Sequence, residues 1–472
     1  MKAFQHVLAA LWLASGLCAQ QASSPKMPAD LPPAGALKAP ASPAVDEHQL
    51  KNGMSVWLVN RPGLPKVAFK LIVRGGDSFD PADAPGLAKL MARTMTQGTA
   101  TRSSREIAEA AQAVGGDVAA KAVVDSAEVS LDTLSEKAGG AVALLADIAQ
   151  NATFPANEVG LSKSNMEDEL RASEARPSFL AQRAWYDVIY GDNPYHIVAA
   201  SMKTLESASP EALRALYHQE FRPDQALLVA VGSFDSATLL SQVEKAFADW
   251  KAPDSKQPPV NAPKSKTDHS IYFIDRPGSV QTTMLIGALG LTARDPDRQP
   301  LRIADTIYGG SFGSRLTRNI REDKGYTYSP YSYLVANRLS GACLTSEDVR
   351  NDVTGPSLKE TFFELKRISA EPPSVEEMEY AKRYLVGNTA LDLQSRTAVA
   401  ELLGRYWVDG QPSNHLNEEM TDIKKATAPE VAQIAAKYFS PDRMTIVAVG
   451  EKAVILEQLK PFGMEIVPAP AK

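Results

Sequence analysis

Apolar positions along the chain fall into short strand-like runs separated by longer helical stretches. From about residue 48 the order is a strand (MSVWLVN), an Arg-Pro-Gly turn and a second strand (KVAFKLIV). Alternation in DVAAKAVVDSAEVSLD predicts a strand pair, and apolar spacing predicts helices over 136–151 and 156–175. The stretch then closes on a Pro-Asp turn and the apolar strand ALLVAVG.

The same order then recurs. Asn60-Arg61-Pro62-Gly63 returns as Asp275-Arg276-Pro277-Gly278, and FRPDQALLVAVG at Phe221 returns as FSPDRMTIVAVG at Phe439. The offsets, 275 − 60 = 215 and 439 − 221 = 218, nearly agree, which points to a duplicated unit. Halves at 48–250 and 269–465 follow, joined by a Pro-rich polar linker at 251–268. Strands mixed with helices give an α+β class, each half a mostly antiparallel sheet covered by helices.

Before the first half, Lys2, the apolar run VLAALWLASGLC and small residues near Ala19 and Ala22 predict a signal peptide over 1–22. Residues 23–47 form a Pro/Ala-rich tether. Export to the periplasm or beyond follows, with no membrane span once the signal is removed. Cleavage would leave Cys343 alone, so no internal disulfide is available, and a buried apolar role is expected for it. A formal net charge of −6 argues against a nucleic-acid partner.

Candidate chemistry is sparse. The six histidines (His6, His48, His196, His218, His269 and His415) include no pair at the spacing that puts two imidazoles on one helical face. Gly309-Gly310-Ser311-Phe312-Gly313-Ser314 lacks the Lys-Ser/Thr of a phosphate loop and is expected to be a turn. In SRLTRNIREDKGYTYSPYSYL, residues 314–334, Leu316 and Ile320 share a helical face and Gly325 is placed to end the helix. Arg321 then lies near a helix end and Tyr328 is expected on the strand that follows. A guanidinium and a phenol there suit a peptide carbonyl or a developing oxyanion. The competing reading is a capped amphipathic helix beside an aromatic core strand.

Taken together, the duplicated halves, GLAKLMARTMTQGT, GDNPYH at Gly191–His196 and GGSFGSRL…IREDKGYTYS resemble the pitrilysin/insulinase family of zinc peptidases, the inverzincins, from about His48 to Gly463. The resemblance implies a clam-shell arrangement of the halves. It also implies an H-x-x-E-H metal motif on a first-half helix. Lys89 stands at the first histidine position, Ala92 at the glutamate and Arg93 at the second histidine. The family's distal glutamate ligand corresponds to Glu169, with Glu167 as the other register. Cationic side chains do not replace neutral imidazoles on zinc, so no metal is expected on this chain. Glu169 is instead expected to pair with Lys89 or Arg93. On the neighbouring strands Ala119, Ala122 and Val129 replace the family's Asn, Thr and Tyr, while Asp125 matches. Arg321 and Tyr328 keep the family's spacing for a pair that contacts substrate at an opposing zinc (328 − 321 = 7). The resemblance therefore implies a non-catalytic subunit that binds peptide and pairs with a zinc-bearing homologous subunit. The alternative is an inactive peptide-binding or scaffold protein.

Overall fold

The computed structural model describes residues 35–264 and 268–470. The signal peptide expected at 1–22, with Cys18, lies outside the described residues, as does the first part of the tether. From Ala39 on, the described residues form one compact unit.

Two six-stranded sheets frame the molecule. The first contains β1 (Asp46–Gln49), β2 (Ser55–Asn60), β3 (Lys66–Arg74), β4 (Val118–Val123), β5 (Ser126–Leu134) and β6 (Ala226–Gly232), in the order β1-β2-β6-β3-β5-β4. The second contains β7 (Ser270–Asp275), β8 (Gln281–Leu289), β9 (Tyr331–Ala336), β10 (Gly341–Arg350), β11 (Thr445–Gly450) and β12 (Glu465–Pro468), in the order β12-β7-β11-β8-β10-β9. Without β1 and β12 the two orders are identical, so the duplication seen in sequence is a duplication of topology. The additions differ: β1 runs antiparallel to β2, and β12 runs parallel to β7.

The strands flanking each Pro-Gly turn are not neighbours. β6 inserts between β2 and β3, parallel to the first and antiparallel to the second. The reason lies in its composition: ALLVAVG is buried at every position, and a strand apolar on both faces belongs in the middle of a sheet.

The two faces of each sheet are covered differently. One face of the first sheet carries its own helices, including Leu87–Met95, Ala138–Asn151 and Pro210–Glu220, over a continuous core. The other face receives the second half's helix Arg396–Asp409, which buries Val399, Ala400 and Leu403 against Trp57, Ile72 and Val229. Reciprocally, the first half's helix Pro177–Tyr190 buries Ala181, Trp185 and Val188 against Leu285, Leu344 and Val447 of the second sheet. Trp185 and Leu403 stand 403 − 185 = 218 residues apart, the duplication offset again. The halves thus hold each other by exchanging equivalent helices. Their apolar burial is the main force joining them.

Polar ties reinforce the exchange. The buried Asp125 carboxylate accepts from the Tyr195 phenol at 2.7 Å and from the Arg338 amide at 3.0 Å. The tether is also fixed earlier than its composition suggests. The Ser42 amide donates to Asn417 Oδ1 at 3.0 Å and the Ser42 hydroxyl to the Asn414 carbonyl at 2.9 Å, so pairing with the second half begins before β1.

Candidate functional site

The first-half helix Leu87–Met95 starts at Gly86, whose φ of +85° and crowding against Ala200 exclude a side chain. The Asp80 carboxylate accepts from the amides of Gly86 at 2.6 Å and Ala88 at 2.7 Å, filling two open donors of the first turn. Leu87, Leu90, Met91, Ala92 and Met95 are buried, which leaves Lys89 and Arg93 on the outward face, one turn apart.

The two cations take different acids. Arg93 Nη1 donates to both carboxylate oxygens of Glu169, at 2.9 and 2.7 Å. Glu167 instead pairs with Arg171 on its own helix, at 3.3 Å. Lys89 turns the other way, to Asp77 Oδ2 at 2.5 Å. Asp77 is one of three buried carboxyls there, with Asp80 and Glu220. Burial raises all three pKa values. Lys89 partly offsets the rise at Asp77, Asp80 is pushed up to about 8, and Glu220 lies well above its usual range. The sequence points to neither Asp77 nor Glu220 directly: the acidic stretch GGDSFDPAD just before the helix is a signal for Asp77, and Glu220, far along the chain, has none.

These residues do not fit a zinc ion. Two cations stand where neutral nitrogen ligands are needed, Ala92 has no base to offer, and the carboxylate of Glu169 is engaged by Arg93. Three of the described histidines have partners away from these side chains. His196 meets Asp187, His269 the Met444 carbonyl, and His415 Glu418. Cys343 is buried in β10, and burial pushes its thiol pKa up, away from nucleophilic use.

The second-half segment is built as a rigid tip. Buried Leu316 and Ile320 anchor it, and Thr317–Asp323 winds as a π-helix rather than the α-helix expected. Arg315 grips Glu377 through two hydrogen bonds of 2.7 and 2.8 Å, which holds the Glu377 carboxyl down at about 2. Asn319 ties to Glu364 at 2.9 Å. Gly325 ends the turn as its position predicts, with φ +63°. The Tyr326 amide reaches back to the Ile320 carbonyl at 2.9 Å.

Tyr328 departs from expectation. It lies in the connector before β9, not on the strand, because Pro330 has no N–H to enter a ladder. This frees its ring to stack on Arg321, whose guanidinium carbon sits 4.4 Å from the Tyr328 centroid. A second ring, Phe312, lies at 4.7 Å. Phe312 and Tyr328 are 65% and 78% exposed. Among the described residues the Arg321 guanidinium has no ion pair, so its edge donors are open to solvent. Phe312 was passed over in the sequence as part of a turn; a phenylalanine between glycines was the available signal.

The strand beside the first-half helix, β4, is a free sheet edge, and Val129 on β5 is buried. Asp125 serves the joint between the halves rather than the edge.

Residues 55–198 match the family model described as insulinase (peptidase family M16), and residues 207–385 match the model of the peptidase M16 inactive domain. An uncharacterized zinc protease of Bacillus subtilis is 25% identical over 84% of this chain and 96% of its own. One from Rickettsia felis is 27% identical over 83% and 94%. A peptidase M16 inactive domain from Pseudomonas fluorescens superposes with a TM-score of 0.80 at 25% identity, covering 86% of this chain and 98% of that one. A protease from Helicobacter pylori shares the fold, with a TM-score of 0.81 at 16% identity over 87% and 100%. Two halves of matching topology, two consecutive family matches and these relatives agree: the chain belongs to the insulinase family, peptidase family M16.

Proposed function

We propose that this chain is the non-catalytic, substrate-binding subunit of a two-subunit zinc metallopeptidase of the insulinase type, exported to the periplasm or beyond. In this reading it supplies Arg321 and Tyr328 to the active site of a zinc-bearing homologous subunit. The observation that carries the reading is the state of Arg321. Its guanidinium is stacked between two exposed rings with its edge donors unspent. Rings fix the plane of a guanidinium while leaving its N–H groups outward. Such a donor, with a phenol beside it, suits a peptide carbonyl as negative charge develops on its oxygen. The metal and base that activate water would have to come from the other subunit, since Lys89, Ala92 and Arg93 offer neither.

A second reading, an inactive scaffold, is favoured by the exchanged helices, each of which covers a face of the other half's sheet. Mixing this chain with a zinc-bearing homologue separates the two. A helper subunit raises peptide cleavage in a manner that needs Arg321, whereas a scaffold leaves cleavage unchanged.

A further inference from the structure

A cavity in the second half lies apart from the site above. It has a volume of about 600 Å³, in the range of ligand pockets. Its walls are the helix Arg298–Tyr308, the strand β9, and the helices Val375–Asp392 and Arg396–Asp409. The first half builds its Lys89 site from the equivalent helix and edge strand, so this cavity is the duplicate of that place.

Its charges are unevenly spent. Glu419 is taken by Arg298 at 2.5 Å and by the Tyr406 phenol at 3.0 Å. Asp305 accepts from the Ser332 hydroxyl at 2.5 Å, and Glu401 pairs with Lys70 at 3.1 Å. Arg302 reaches only Gln299 at 2.9 Å, with Glu419 more distant at 3.9 Å. Arg405 has no ion pair or hydrogen bond among the described residues. Two guanidinium groups with open donors therefore face the cavity, against one carboxylate, Asp392, with no ion pair among the described residues; Glu401 is exposed as well but is held by Lys70. Burial lowers the Arg302 pKa, Glu419 opposes the fall, and Arg298 and Arg405 add to it.

A path leads out of the cavity. Tyr384 on its wall stacks with Tyr380 at 6.1 Å. The Tyr380 ring packs against Gly313, the residue after Phe312. An aromatic surface thus runs from the cavity to the Arg321 tip.

We infer that this cavity is a carboxylate-binding site for peptides, in which Arg302 and Arg405 hold the acid while the chain lies along Tyr384 and Tyr380. The choice of a peptide rests on the function proposed above; the choice of a carboxylate rests on the cavity alone. Paired guanidinium donors match a carboxylate in shape and charge. The acid comes either from the chain's C-terminus or from an aspartate or glutamate side chain.

The test uses this chain without any partner, so its outcome is separate from that of the mixing experiment. Fluorescence polarisation compares a short labelled peptide with a free C-terminal carboxylate, its C-terminal amide, and an amide carrying internal glutamates. The acid or the glutamate peptide should bind about tenfold tighter than the plain amide, the equivalent of one charged hydrogen bond. Arg302→Gln and Arg405→Gln should each remove that preference. Exposed, unpaired Arg405 keeps the test open if Arg302→Gln misfolds. Preference for the free acid assigns the C-terminus, and preference for the glutamate peptide assigns side chains. Equal binding of all three peptides, or a preference untouched by Arg405→Gln, overturns the inference.

Discussion

Replacing Lys89 with methionine probes what became of the family's metal position. The change removes an ammonium 2.5 Å from Asp77 and keeps most of the stem. The Asp77 side chain is 2% exposed and that of Lys89 23%, so solvent screens the pair weakly. Stranding one member of such a pair costs about 3–5 kcal/mol. The stranded carboxyl has one escape, which is to bind a proton. Burial already raises its folded pKa while Lys89 pulls it down, so losing Lys89 raises it further. An acid whose folded pKa lies above its unfolded one binds protons more tightly when folded. Its contribution to stability is greatest below the unfolded pKa, near ~4, and is lost as pH rises through the folded pKa. The variant should steepen that loss by up to ~1.4 kcal/mol per pH unit. Asp80, pushed up to about 8, feels both Asp77 and Lys89, so its titration belongs to the same difference and is not a common background. Urea unfolding should find Lys89→Met close to wild type at about pH 5 and several kcal/mol less stable at about pH 8. A loss equal at both pH values, or below ~1 kcal/mol at the higher one, would refute this account of the pair.

Other perturbations separate packing from surface charge. Trp185→Ala should cost about 3–5 kcal/mol in urea unfolding, because the ring is fully buried between the halves; a loss under ~1 kcal/mol would show that the exchanged helix is not what joins them. Arg93→Ala should change stability by no more than ~1 kcal/mol, since Arg93 and Glu169 are 37% and 62% exposed; a larger loss would mean that the pair carries structural weight.

Strand identities were legible because burial writes its period into the chain: β4 and β5 alternate, and β6 is apolar throughout. Their order was not, because β6 reaches its place between β2 and β3 only through contacts some 160 residues away in sequence. The helix exchange was hidden for a related reason. Trp185 and Leu403 look like ordinary core residues, and nothing local says whose sheet they cover. At the candidate site, the spacing of Arg321 and Tyr328 and the cations at Lys89 and Arg93 stood in plain view. The choice of Asp77 for Lys89 depended on a buried cluster assembled from distant segments. Phe312 was missed because a glycine-flanked loop gives no period to read.

The central claim is that this chain completes another subunit's site. It is tested most directly by peptide cleavage with this chain alone, with a zinc-bearing homologous subunit alone, and with the two mixed. The account predicts no cleavage by this chain, a gain on mixing, and loss of most of that gain with Arg321→Ala or Tyr328→Phe. Chelator-sensitive cleavage by this chain alone, or mixtures in which both variants perform as well as wild type, would contradict it.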